Sequence, residues 1–306
     1  DTAQEPVTLR DARHLWGLDV HDTTDTLKQE DGRRLCVVAI GPAGENLVPM
    51  ASVMQRPGKS GSRCGMGAVL GSKKIKAIVV HGSGRVQIAN RQNFDMLVER
   101  HAQILSKSLQ VQGYASEGTA SMVTGVMSLG DMPVKNWSGE IWMDGAEKLS
   151  GQAIVEQVLV DRDGCHACTV RCKGVVRVKQ DDGSYQDGPG PEYETLGAMG
   201  SLLGQDNLEG VVQVNELCNR LGIDTISAGS TLAWAMEASQ SGALPESLVG
   251  NLRMEWGETD TICKLVKDIA HRRNGLGEML AVGSARAARQ IGKDSQAYSI
   301  NVKGLD

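Results

Sequence analysis

The sequence has 306 residues, 41% hydrophobic and 23% charged, with a formal net charge of −5. That length holds one large domain or two ordinary ones, and the composition is that of a globular protein with a sizeable core. An acidic balance without a basic stripe argues against a nucleic-acid partner, and no apolar run approaches the roughly 18–20 residues that cross a bilayer.

In chain order, Leu35 to Ile40 is a short apolar run closed by Gly41-Pro42, and Lys76 to His81 is a second; both read as strands. Val86-Gln87-Ile88 is expected to be a third, and residues 58–73 between the first two are rich in Gly and Ser. After Asn90 the period becomes helical: Phe94, Leu97, Val98, His101, Leu105 and Leu109 share one face, with Asn90 as N-cap. On that face His101 is expected to be a core histidine rather than a ligand. Further helices are expected over 119–129 and 152–160, and a short strand at Val175–Val178. An amphipathic helix from Leu208 to Leu221 stops at Gly222, a fitting C′ residue. The next starts at Asp224 and runs to Gly242, and later helices are expected over 260–272 and 277–291. The fold class is therefore α+β, with a β-rich region over 1–90 and a mainly helical region over 91–306.

Cys165, Cys168 and Cys172 are bunched, whereas Cys36, Cys64, Cys218 and Cys263 are scattered. A chain this long needs no disulfide staples, and bunched thiols suggest metal ligation in a reducing, cytoplasmic compartment. The Cys-x₂-Cys-x₃-Cys run lets one bent loop aim three thiolates at a common centre, as in half of a bacterial ferredoxin run, although no Pro follows the last Cys. Arg171 and Lys173 offset the charge of a thiolate cluster. A [4Fe–4S] cluster is the favoured reading. Structural zinc is a second, weakened because His166 adjoins Cys165 directly, and three unligated thiols is the third. None of the other cysteines sits in a matching loop, so a fourth ligand is expected from outside this sequence.

Five further segments carry a resemblance. They are Gly41 to Val48 (GPAGENLV), Arg63 to Lys73 (a Gly-rich GRxGxGAVMGSK-type loop), Met132 to Trp137 (LPTRNW-type), Pro191 to Gly197 (PEYET) and Asn219 to Ser227 (a DxxGLD-type motif). In this order, with the cysteine run between, the chain resembles the tungsten- and molybdenum-pterin aldehyde:ferredoxin oxidoreductases. It resembles an internal fragment of them, lacking both ends.

The resemblance implies a tungsten or molybdenum bis-pyranopterin beside a [4Fe–4S] cluster, with Cys165, Cys168 and Cys172 as three of its ligands. Arg63, Cys64, Gly65, Gly67 and Lys73 would approach the pterin, the glycines by admitting backbone and Arg63 and Lys73 by pairing with phosphate. Cys64 itself is unexplained by the cluster. Asn219, Gly222, Ile223, Asp224 and Thr225 match the pterin motif, with Asn219 where the family is usually acidic; pure helix capping explains Asp224 as well. Glu192 and Glu194 are the expected general bases, although a solvated carboxylate opening a helix accounts comfortably for one of the two. The implied reaction is aldehyde oxidation by water, with electrons passing to ferredoxin or an iron–sulfur partner subunit; a homodimer is compatible. An aromatic acyl-CoA reductase subunit of the benzoyl-CoA type and a cluster-bearing scaffold subunit are the rival readings. Alone, this fragment is expected to be inactive.

Overall fold

The computed structural model describes residues 7–32, 35–55, 58–61, 63–82, 84–180 and 182–305; Ser62 of the Gly-rich loop and Asp181 of the polar stretch lie outside them. The first region builds an antiparallel sheet of β1 (Cys36–Ala39), β2 (Met54–Gln55), β3 (Lys59–Ser60) and β4 (Ala77–Val80), in the order β3-β2-β1-β4. Cys36 faces Val80 and Val38 faces Ile78 across the β1–β4 ladder. Three helices accompany it: α1 (Val20–Asp31), α2 (Pro42–Glu45) and α3 (Met66–Ser72). No expected element corresponds to α1, which Asp19 caps by accepting from Asp22 N. Val86-Gln87-Ile88 is not a strand; Val86 is exposed and has nothing to pair with in the described residues.

Close backbone approaches explain glycines in two of the motifs. A Cβ on Gly71 would lie 1.9 Å from Gly44 O, and one on Gly41 would lie 2.3 Å from Leu221 O. These glycines let backbone meet backbone, which no side chain would allow.

The second region opens with α4 (Arg91–Lys107), capped by Asn90 as expected, its side chain accepting from Asn93 N at 2.9 Å. Its apolar stripe exists but is not buried: Phe94, Leu97, Val98 and His101 are exposed, so His101 is not a core histidine. Neither α4 nor α5 (Leu109–Glu117) buries a single residue. A 3₁₀ turn at Gly118–Met122 leads into α6 (Val123–Ser128), followed by α7 (Met143–Lys148) and α8 (Gly151–Gln157). Then β5 (Leu159–Asp163), β6 (Lys173–Lys179) and β7 (Tyr185–Pro189) form an antiparallel sheet in sequence order.

The core lies in the helices that follow: α9 (Tyr193–Met199), α10 (Leu208–Leu221), α11 (Thr225–Gln240), α12 (Glu246–Val249), α13 (Thr259–His271), α14 (Leu276–Leu280) and α15 (Ser284–Ile291). The helix expected over 277–291 is two, separated at Gly283, whose φ of 86° takes the chain out of helical geometry. Central to them is α11, with Leu232, Ala233, Trp234, Ala235 and Met236 fully buried against Ile262, Leu265 and Val266 of α13. The indole of Trp234 satisfies its one donor on Ser295 O at 2.8 Å.

Candidate cofactor site

The cysteines occupy the β5–β6 connection. Asp163 pairs with Lys173 as the last rung of the ladder, so residues 164–172 form a hairpin loop held at both ends. Within it Cys168 N donates to Cys165 O at 3.0 Å, and Ala167 (φ 56°) and Arg171 (φ 52°) adopt left-handed backbone. Those turns swing all three side chains to one cavity. The N–H groups of Arg171 and Val170 point at the Cys168 thiol and pull its pKa down, as a ligating thiolate needs. Burial pushes the Cys172 thiol up, and the nearby Glu192 carboxylate adds to that.

Opposite the loop stands the α10–α11 turn. α10 ends at Gly222 in left-handed conformation (φ 71°), and the turn is tied down from the first region. Ser52 N donates to Gly222 O at 2.8 Å, Asp224 N to Met50 O at 3.0 Å, and Ala51 bridges Ile223. Asp224 caps α11, its Oδ1 accepting from Ile226 N and its Oδ2 from Ser227 N and Ser227 Oγ, the last at 2.7 Å. Arg63 Nε adds a 2.9 Å ion pair to Oδ2, while its Nη2 reaches Ser227 Oγ at 3.2 Å. A carboxylate has about four acceptor sites, so Oδ1 keeps capacity for a further donor.

The third wall is the entry to α9. Glu192 Oε2 accepts from Thr119 Oγ1 at 2.6 Å, and the same hydroxyl accepts from Tyr193 N at 2.9 Å. Lysines close the floor: Lys59 Nζ donates to Gly164 O at 3.1 Å and Lys173 Nζ to Gly58 O at 2.7 Å. Burial lowers the Lys173 pKa, and Glu192 opposes that shift. The resulting cavity, about 360 Å³, is lined by Cys165, Cys168, Cys172, Glu192, Asn219 and Asp224, among others.

Most of the expected residues therefore share one space. Ile223 and Thr225 line it as well, the latter with Thr195 at 2.9 Å, and Gly222 supplies the turn. Of the two glutamates, Glu192 faces the cavity and Glu194 is exposed. Arg63 reaches the site through Asp224. Gly65 and Gly67 are set by protein contacts: a Cβ on them would meet Pro49 O at 2.4 Å and Ser52 O at 2.6 Å. Cys64 and Lys73 are exposed and do not line the cavity. Arg171 turns back to donate to Arg162 O instead of facing the thiols. Sequence reasoning missed Lys59, Thr119 and Arg162. Only Lys59 carried a signal, a cation within the Gly-rich stretch.

The two regions together close a cysteine loop, a capped acidic turn and a carboxylate around one cavity. Residues 2–82 match the family described as "Aldehyde ferredoxin oxidoreductase, N-terminal domain", and residues 96–306 match "Aldehyde ferredoxin oxidoreductase, domains 2 & 3". The chain belongs to the aldehyde ferredoxin oxidoreductase family, a family of oxidoreductase enzymes.

Among curated relatives, the tungsten-containing aldehyde ferredoxin oxidoreductase of Pyrococcus furiosus is 37% identical over 99% of this chain and 49% of its own length. That of Thermococcus kodakarensis is 37% identical over 98% of this chain and 49% of its own. The aliphatic sulfonate oxidoreductase WOR-like subunit of P. furiosus is 28% identical over 98% of this chain. The chain spans about half the length of the curated relatives it matches. Among solved structures, the active-site complex BamBC of benzoyl coenzyme A reductase superposes with a TM-score of 0.78 at 24% identity, covering 94% of this chain and 45% of that one. That likeness shows the shared α+β fold. Among the described residues no helix is long and apolar enough to cross a membrane.

Proposed function

We propose that this chain contributes to an enzyme that oxidises an aldehyde with water to a carboxylic acid, releasing two electrons and two protons. The observation that carries the reading is the convergence of Cys165, Cys168 and Cys172 on the cavity that also exposes Glu192 and Asp224. Among the described residues no three His, Cys, Asp or Glu groups stand close enough to share a single metal ion. Three thiols on one bent loop facing one cavity suit the corner ligands of a cubane. A [4Fe–4S] cluster would be held by these three cysteines, with a fourth ligand from outside the sequence. When bound, the tungsten or molybdenum pterin would supply two-electron chemistry and the cluster a one-electron route to ferredoxin or an iron–sulfur partner.

The chain's own groups do the rest. Asp224, its carboxylate held by Arg63 and the α11 N-terminus, would help to hold the pterin. Glu192 takes a proton from the attacking water, and the Thr119 hydroxyl fixes the orientation of its Oε2. Lys59 and Lys173 offset thiolate charge on the floor of the cavity. The cytoplasm, with its reducing poise, is the compartment in which such thiols stay available. Reduction of an aromatic acyl-CoA has only the fold likeness behind it.

The test is anaerobic assay of the longest native polypeptide carrying this sequence, with a viologen as acceptor and a panel of aldehydes. Aldehyde-dependent viologen reduction, abolished by Glu192→Gln with metal content retained, supports the proposal. Bound metal without turnover on any aldehyde, or full activity in Glu192→Gln, removes it.

A further inference from the structure

Arg162 lies on β5, opposite Gly174 and directly behind the cysteine loop. Its guanidinium bridges two segments far apart in sequence: Nη1 donates to Cys172 O at 3.3 Å and Nη2 donates to Ser116 O. Its Nε is buried and has no partner among the described residues. Gly118 is shaped around this bridge, since a Cβ there would meet Cys172 O at 2.7 Å and Arg162 Nη1 at 3.0 Å. Gly118 in turn precedes Thr119, the partner of Glu192. One guanidinium thus connects the backbone of a thiol residue, the end of α5 and the segment that holds the carboxylate.

The electrostatics run the same way. Glu192 and Glu117 lie close enough to the guanidinium to interact with its charge. A planar, always-charged fork serves two carbonyls at once, which an ammonium does not. Burying a cation with one donor left over is costly. Negative charge close by offsets that cost, and a reduced iron–sulfur cluster would add to it. The Coulomb effect of a fixed cation favours the more negative, reduced form.

We propose that Arg162 is a positioning residue for the cluster, fixing Cys172 through its carbonyl and raising the cluster's reduction potential through its charge. The proposal rests on the cluster reading above, and the experiment separates the two. The native polypeptide, Arg162→Lys and Arg162→Met are purified anaerobically. Iron and acid-labile sulfide, the cluster midpoint potential by electron paramagnetic resonance, and the rate of iron release to a chelator are then measured. Arg162→Met is expected to lower the midpoint potential and to release iron faster by roughly tenfold, the scale of one lost charged hydrogen bond. Arg162→Lys keeps the charge and loses the fork, so it should hold the native potential while still releasing iron faster.

A native protein without iron and sulfide overturns the cluster reading and this inference with it. A native cluster whose potential and release rate are unchanged in Arg162→Met overturns the inference alone. If Arg162→Met does not fold, Arg162→Lys decides: native release kinetics in that variant overturn the positioning role.

Discussion

Replacing Asp224 tests whether the acidic turn is a helix cap, a ligand group or both. Asp224→Ala removes the acceptors for Ile226 N, Ser227 N and Ser227 Oγ, and separates Arg63 from its carboxylate. Loss of an N-cap costs about 1 kcal/mol, and the lost Ser227 hydroxyl bond about 1 kcal/mol more. The Arg63 side chain is 36% exposed, so losing its partner adds only a few tenths, about 0.3 kcal/mol. The sum, about 2 kcal/mol, corresponds to an unfolding midpoint roughly 3 °C lower for a chain of this size. Asp224→Asn keeps the cap oxygen and should cost under about 1 kcal/mol. Urea unfolding followed by circular dichroism, at constant slope, measures both. Pterin content measured beside it separates the roles: a stable Asp224→Asn that has lost pterin assigns the carboxylate to the ligand. Alanine behaving like the native residue, or asparagine costing as much as alanine, would refute the reasoning.

Other consequences follow from the packing. Asp268, buried on α13, accepts from Lys264 at 2.6 Å, Arg273 at 3.1 Å and Asn274 at 2.8 Å. Burial alone would raise its pKa, but these donors win and hold it below the ordinary 3.8. Because the folded pKa is depressed, the stability it contributes is complete above the unfolded pKa and is lost as pH falls through the folded one. Asp268→Asn should therefore cost about 2 kcal/mol at neutral pH, with the gap to native closing below about pH 4; a gap that widens in acid contradicts this. Gly71→Ala, with its Cβ aimed at Gly44 O from 1.9 Å, should separate α2 from α3 and cost about 3 kcal/mol or more, read as a lower urea midpoint; native stability in that variant contradicts the close approach. In hydrogen exchange, α4 amides should open with about 1–2 kcal/mol while α11 amides approach the global value; equal protection of the two contradicts the exposure of α4.

The parts of the site legible in the sequence were those confined to one stretch of chain. The cysteine loop announced itself through spacing, and the α10–Gly222–Asp224–α11 turn through its apolar period, its C′ glycine and its capping carboxylate. The illegible parts are contacts across the fold. Thr119 meets Glu192 from 73 residues away, and Arg63 meets Asp224 from 161, with nothing in either segment to announce its partner. Periodicity identified the apolar face of α4 but not whether anything covers it, which is why His101 was misplaced. The motif glycines were legible as close approaches, yet at Gly65 and Gly67 what approaches is the protein's own backbone.

The most direct test of the central claim is elemental and pterin analysis of the anaerobically purified native polypeptide, by mass spectrometry for W, Mo, Fe and Zn. The account predicts iron and sulfide in cubane proportion together with pterin and tungsten or molybdenum. Those should be lost together with the cluster signal when Cys165, Cys168 and Cys172 are replaced by Ser. Zinc alone, or no metal with all three thiols freely alkylated, would contradict it.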